Sequence, residues 1–275
     1  MRSQKSEARS QKARHLSLAT ALLALAWLLI PPCGRVMWLT ANPQQVMPIL
    51  GSPVAPAGGA APTIVQKTYS GDSWLGGSAG TFTFTITSTA SGNYLLIPIA
   101  EPDYNGNNVT AVSDSNNDTF TEITAARALG SSCVPGTNRS SLVWGFGPTV
   151  SGITSIKVTL AAGHYFVGYA YEITGVNNAS PVDAASATCV LATANPTGPS
   201  VTTTVKDLIV GLVAAQGSGT LTGMYAGNPF TLGPYETNGF YNASAYYIPP
   251  STGTYQPRWA DTTAQDFAAS TVAIK

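Results

Sequence analysis

In TFTFTIT, which begins at Thr81, Phe82, Phe84 and Ile86 alternate with threonine, and this period of two marks a strand with one buried and one solvated face. Similar short runs recur down the chain. Strands are predicted over 63–69, 81–87, 94–100, 109–113, 120–128, 140–146, 155–160 and 165–173, and then over 200–205, 208–214, 240–248, 253–259 and 267–274. Gly, Pro, Asn and Ser separate them, and no segment beyond residue 40 carries the 3.6-residue period of an amphipathic helix. The pattern predicts an all-β fold, an antiparallel β-sandwich of jelly-roll type. Residues 63–275 are too many for one immunoglobulin-like domain of about 100. With no repeat visible in the residues, one larger jelly roll is favoured over two smaller sandwiches.

The N-terminus follows a different pattern. Residues 16–34, LSLATALLALAWLLIPPCG, carry no charge and follow a basic segment, which is the layout of an export signal. A stretch apolar on all sides, beside a basic tail, has only lipid to pack against. Residues 1–40 are therefore expected to be a basic N-region plus a hydrophobic helix, either a cleaved signal peptide or a retained signal anchor. Leu39 stands two residues before Ala41, where a cleavage site wants a small side chain. Pro32 precedes Cys33, where a lipid-modified cysteine wants a small residue, so a lipoprotein is disfavoured while cleaved and anchored forms stay open. Residues 41–62, with Pro43, Pro48, Pro53, Pro56 and Pro62, show neither period and read as an extended linker. The domain at 63–275 is expected outside the cytoplasm, secreted or held at the cell surface, with membrane contact only through the N-terminal segment.

Composition sharpens this picture. Charged residues make up 9% of the chain, against roughly 25% in ordinary soluble domains, so Thr, Ser, Asn and Gly do the solvating. The net charge of zero conceals a division: the first forty residues hold six basic side chains against Glu7 alone, and the rest holds seven basic against twelve acidic. A negative body without a basic cluster excludes nucleic acid as a partner, since phosphates need Lys and Arg to replace their counterions. In an oxidising compartment, Cys133 and Cys189 are expected to form a disulfide.

Several chemistries fail on residue supply. His164 is the single histidine beyond the export segment, which removes Ser-His-Asp catalysis and ordinary zinc sites as readings with a motif behind them. GGSAG at 76–80 runs straight into a strand and lacks the strand-to-helix context of a nucleophile elbow. Among carboxylates, Glu172 is the catalytic candidate for a carboxylate-based polysaccharide hydrolase. It shares a strand face with Phe166, Gly168 and Ala170, opposite Tyr165, Val167, Tyr169, Tyr171 and Ile173. The simpler expectation is a strand end on the solvated side. Glu101 and Asp103 begin an E-x-D-x-x-E pattern, but Gly106 stands where its second Glu should be.

Binding draws on Tyr241, Tyr246, Tyr247, Tyr255 and Trp259, set among Asn, Ser, Thr and Gly. Their flat rings suit sugar or protein surfaces. Tyr246 and Tyr247 are adjacent in a strand, so they point to opposite faces and at least one of them points away from the core. In VSDSNNDTFTE, residues 112–122, Asp114, Asn116 and Asp118 alternate as calcium ligands do. Counted from Asp114, however, Thr119 replaces the glycine and Ala125 the bidentate glutamate of an EF-hand. A β-hairpin whose Asp and Asn side chains bond back to the turn is favoured, so no cofactor is expected and calcium is the minority reading.

The phrases VSDSNNDTF, YAYEITGV followed by PVDAAS, VTTTVKDLIVG and TYQPRWADTTAQDFAAS resemble a recurrent group of uncharacterised secreted bacterial β-sandwich domains, similar in outline to concanavalin-like jelly rolls. The resemblance covers most of 63–275 and implies fold and export. It brings no activity and no catalytic residues. The functional expectation is an exported, surface-tethered, non-catalytic module that binds an extracellular glycan or protein ligand or serves adhesion. The alternatives are a jelly-roll polysaccharide hydrolase and a structural subunit of an envelope assembly.

Overall fold

Strands dominate a computed structural model that describes residues 60–71, 73–74, 79–103, 106, 108–133, 139–215, 221–235 and 242–275. The export segment and nearly all of the linker lie outside the described residues, as do most of GGSAG and Tyr241. The first half of the domain holds β1 (Thr63–Tyr69), β2 (Ser73–Trp74), β3 (Gly80–Thr85), β4 (Tyr94–Glu101), β5 (Val109–Asp114), β6 (Thr121–Glu122), β7 (Ala128–Leu129), β8 (Ser140–Phe146), β9 (Ser155–Leu160) and β10 (Tyr165–Thr174). The second holds β11 (Val182–Thr193), β12 (Val201–Thr202), β13 (Leu208–Ala215), β14 (Leu221–Met224), β15 (Thr231–Tyr235), β16 (Ala243–Tyr247), β17 (Thr254–Tyr255), β18 (Trp259–Asp261) and β19 (Gln265–Ile274). Two short 3-10 turns, Thr124–Ala126 and Gly130–Ser132, complete the assignment. No helix among the described residues is long and apolar enough to cross a membrane.

Period-two reading located most of these strands, and 63–69, 140–146 and 155–160 match residue for residue. The run at 120–128 does not hold as one strand, because the turn at Thr124–Ala126 divides it into β6 and β7. The run at 253–259 is likewise broken, at 256–258, where Pro257 lacks the amide a ladder needs. β11 carries no alternation in VDAASATCVLAT, since small residues occupy both of its faces.

Every named strand pair is antiparallel, and the strands build sheets β1-β10-β4-β8-β6, β11-β19-β13-β16-β15 and β3-β9-β5, plus the ribbons β12-β17 and β14-β18. β2 joins the first sheet beside β10, and β7 joins it beside β8. Setting β2 and β7 aside and treating β17 and β18 as one interrupted strand, each half has eight strands. In both halves the five-stranded sheet then reads first, eighth, third, sixth, fifth, and the second, seventh and fourth strands form the covering layer. Register repeats too: Tyr94 lies opposite Ile173 as Leu208 lies opposite Ile274, and Ala100 opposite Val167 as Ala214 opposite Ala268.

Sandwich packing is therefore present, but in four layers where a single sandwich has two. Phe84, Leu95, Ile97, Val158 and Phe166 fill the space between β3-β9-β5 and the first central sheet. Leu96, Val167, Tyr169, Tyr171, Val210 and Val272 fill the space between the two central sheets. Ile209, Val213, Ala245, Phe267 and Trp259 fill the space beneath the ribbons. Burial on both faces is why β4 and β13 read as continuous apolar runs with no exposed position.

The central sheets meet back to back about a pseudo-two-fold axis. Tyr171 of β10 donates to Ser244 Oγ of β16 at 2.6 Å, and Ser270 of β19 shares a hydrogen bond with Ser141 of β8 at 2.7 Å. Both contacts set an eighth strand against a sixth, the reciprocity of an isologous interface. β4 crosses β13, third on third, while β1 runs beside β15, first beside fifth. A disulfide between Cys133 and Cys189, with Cα atoms 5.7 Å apart, ties a turn of the first half to β11 of the second.

Candidate binding surface

Glu172 sits in β10 between β1 and β4, opposite Gln66 and Leu95. Its carboxylate accepts from Gln66 Nε2 at 2.6 Å, from Asn93 Nδ2 at 2.6 Å and from the Ala90 amide at 2.9 Å. Gln66 in turn pairs with both backbone groups of Thr87. The side chain is 1% exposed. Contrary to the expectation of a solvated strand end, Glu172 is a buried clamp joining two strands and the β3–β4 connection, and both of its oxygens accept from protein donors.

Asp114 turns its carboxylate inward as well. Its Oδ1 accepts the amides of Asn116 at 2.8 Å and Asp118 at 3.1 Å, and Asn117 takes the left-handed conformation, φ 65°, that closes the turn. Asn116 and Asp118 thus contribute backbone here, and the Asn116 side chain is exposed. No group of three or more His, Cys, Asp or Glu side chains positioned to hold a metal occurs among the described residues.

Other acids are unusual for their burial. Desolvation pushes Glu101 up to about 8, with Asn108 pulling it back in part. Burial and the adjacent Asp183 push Asp207 up to about 7. Burial also acts to raise Asp183, but Thr204, which bonds it through hydroxyl and amide, then Asp207 and then Lys275 at 3.4 Å outweigh that and hold it below the ordinary carboxylate value. Asp103 lies 3.7 Å from His164 Nδ1 at the end of β4.

The aromatic candidates divide by face. Trp259, an expected ligand-facing residue, is fully buried in the core beneath the ribbons and presents nothing to a ligand. Tyr247 and Tyr255 are partly shielded against the same core, their ring centroids 5.5 Å apart and that of Phe230 5.4 Å from Tyr247. Tyr246 takes the opposite face, as its adjacency to Tyr247 requires, and reaches the seam between the central sheets. There the Lys67 ammonium lies 4.7 Å from its ring centroid and 3.3 Å from its hydroxyl.

Residues absent from the sequence reading complete this seam. β1 alternates exposed and half-buried positions, and its exposed set includes Val65, Lys67 and Tyr69. Lys67 and Tyr69 lie opposite Tyr171 and Tyr169, so they share the face turned toward the second central sheet. Tyr69 is 41% exposed with its ring stacked on Tyr169 at 6.4 Å. The strip formed by Lys67, Tyr69 and Tyr246 offers apolar ring surface, phenolic hydroxyls and one ammonium. Tyr rings of this kind give large contact area with little rotamer entropy to lose. The period-two pattern of β1 held the signal for Lys67 and Tyr69, but the face they occupy becomes meaningful only once β15 and β16 are known to lie beside it. No protein-family model, curated protein or solved structure matches the chain.

Proposed function

We propose that the protein is an exported, surface-tethered, non-catalytic binding or adhesion module, built from two jelly-roll sandwiches of concanavalin-like outline, that engages an extracellular glycan. The observation that carries this reading is the strip at the seam between the halves, where exposed Tyr69 and Lys67 stand beside half-buried Tyr246. A sugar ring stacks its C–H face on a Tyr ring, while its hydroxyls take hydrogen bonds from the ammonium and the phenols. The repeated strand order supports the jelly-roll assignment, and the apolar run at 16–34 supports export. A glycan and cell-wall array followed by calorimetry tests the function. Binding is expected to fall about tenfold or more in Tyr69→Ala and Tyr246→Ala, equivalent to about 1.4 kcal/mol each, with melting temperature nearly unchanged. A blank array at high protein concentration overturns the glycan reading.

The rival, a polysaccharide hydrolase using Glu172, has less support, because that carboxylate already serves three protein donors. Reducing-sugar release from a substrate panel, abolished in Glu172→Gln, would reverse the ranking.

A further inference from the structure

Sheet edges expose unpaired amides and carbonyls, and natural proteins guard them with charge, proline, bulges or brevity. Three of the four edges of the central sheets are guarded in this way. β1 carries Lys67 and a register shift between Ile64 and Gln66, β15 carries Pro234 and a shift between Leu232 and Tyr235, and β6 is two residues long. β11 is different. Its charge, Asp183, and its register shifts, between Val182 and Ala184 and between Val190 and Thr193, stand at its two ends, and between them AASATCV pairs with β19 over seven residues with neither charge, proline nor shift. It ends its sheet, and among the described residues no strand pairs with its outer side. The pseudo-two-fold makes the contrast direct, since β1 is the equivalent first strand and keeps its guard.

Two clefts flank this bare edge on opposite faces of the sheet. One, of about 540 Å³, is bordered by Ala187, Cys189 and Leu191 on the β11 side and by Ala128, Leu129 and Ser132 of the first half on the other. The second, of about 460 Å³, is bordered by Ser186, Thr188 and Val190, with Ser200 and Gln256 opposite. Ala187 and Thr188 border both clefts, while Cys189 and Leu191 border the first alone and Ser186 and Val190 the second alone, so away from that shared pair the strand's period of two divides them. The Cys133–Cys189 disulfide fixes the first cleft's far wall to the strand.

We infer that the outer edge of β11 is a docking slot for an extended peptide segment of another protein. The guest strand would be about seven residues long, apolar at one set of alternate positions and hydroxyl- or amide-bearing at the other. Main-chain hydrogen bonds to β11 supply affinity, and the two clefts select alternate side chains. Leu129, Leu191 and Ala128 specify the apolar set, and Ser186, Thr188, Ser200 and Gln256 the polar one. Arg127 beside the first cleft is paired with Glu122, so the slot favours an uncharged guest. A second copy offering its own β11 would bring its own cleft walls, Ala128, Leu129 and Ser132, to the same edge, which a lone extended segment does not. This site lies apart from the tyrosine strip and does not depend on that strip binding glycan.

A fluorescein-labelled peptide of alternating Leu and Thr, about nine residues long, tests the slot by anisotropy with the full chain in detergent. Saturable binding is expected, with hydrogen-exchange protection of the amides at 184–190. The same peptide N-methylated at alternate amides is expected to bind about tenfold more weakly or worse, because main-chain hydrogen bonds carry the affinity. Thr188→Lys and, separately, Ser186→Lys are each expected to weaken binding about tenfold while the protein melts as the unsubstituted chain does. Absence of saturable binding at millimolar peptide, equal binding of the N-methylated peptide, or equal binding by both folded variants overturns the proposal. A concentration-dependent dimer that protects the same amides assigns the edge to a second copy and overturns it equally.

Discussion

Removing the Glu172 carboxylate takes the acceptor from Asn93 Nδ2 and from the Ala90 amide at once, and one of two acceptors from Gln66 Nε2, which keeps the Thr87 carbonyl. Hydrogen bonds to a charged group contribute about 1.5–3 kcal/mol, and a buried donor left unpaired costs its desolvation as well. Glu172→Ala is therefore expected to lose about 3 kcal/mol or more in denaturant unfolding, a structural effect that would appear whether or not any substrate exists. Glu101 supplies a pH signature. Its folded value of about 8 lies above the ordinary 4.5, so the fold binds its proton more tightly than the unfolded chain does. The stability it contributes is complete below about pH 4.5, declines as pH rises toward about 8, and changes no further above that. Asp207 acts in the same direction up to about pH 7, and Asp183 acts in the opposite direction, losing its contribution as pH falls. Melting temperature is expected to fall between about pH 5 and pH 8, and Glu101→Gln should flatten that slope. The sequence disclosed which face of β10 Glu172 occupies, but not its partners, because Asn93 and Gln66 are 79 and 106 residues away in the chain.

Strands were legible where alternation or a long apolar run marked them and illegible where small residues filled both faces. TFTFTIT and YLLIPIAE declare themselves, whereas VDAASATCVLAT offers Ala and Ser on each side and has no period to read. Aromatic strands posed the opposite difficulty, because Tyr and Trp are as much at home in a β core as on a binding face. Trp259 and Tyr246 separate only when the layers are known. Trp259 lies against Gly211 of β13, where an added Cβ would stand 2.8 Å from Pro257 Cγ and 3.3 Å from the indole. Gly211→Val is expected to lift the interrupted seventh strand off the second central sheet, lowering stability by about 1–3 kcal/mol through overpacking. Trp259→Ala should cost about 3–5 kcal/mol by leaving a cavity. Neither should alter the proposed glycan binding in protein that remains folded, whereas Tyr246→Ala should do the reverse. A chemical melt and a binding titration on the same three variants separate core from surface.

At the level of the whole molecule, the duplicated strand order escaped sequence reading because the halves share burial and register more than residues. Leu95, Ile97 and Ile99 correspond to Ile209, Gly211 and Val213, and Phe166 to Phe267, while Glu172 corresponds to Ala273. The pseudo-dyad then explains how a chain with so little charge stays folded. Each central sheet hides its inner face on the other, so Leu96, Tyr171, Val210 and Val272 have no exposure although they belong to separate sandwiches, except for 3% at Val210. Either half alone would expose a broad apolar face of the kind that drives association. Coexpressed as separate chains, 60–178 and 179–275 are therefore expected to copurify as one particle, joined by the Cys133–Cys189 bond on a non-reducing gel. Each expressed alone should aggregate. In the intact chain, Cys133→Ser with Cys189→Ser is expected to cost about 2–4 kcal/mol, since the bond closes a long loop in the unfolded state. The halves should nevertheless remain docked, because the packed face between them, with the Tyr171–Ser244 and Ser141–Ser270 hydrogen bonds, is independent of the disulfide. Undocking in the double serine variant, read as new sensitivity of the 174–182 connection to protease, would make the disulfide the principal joint and the apolar interface secondary.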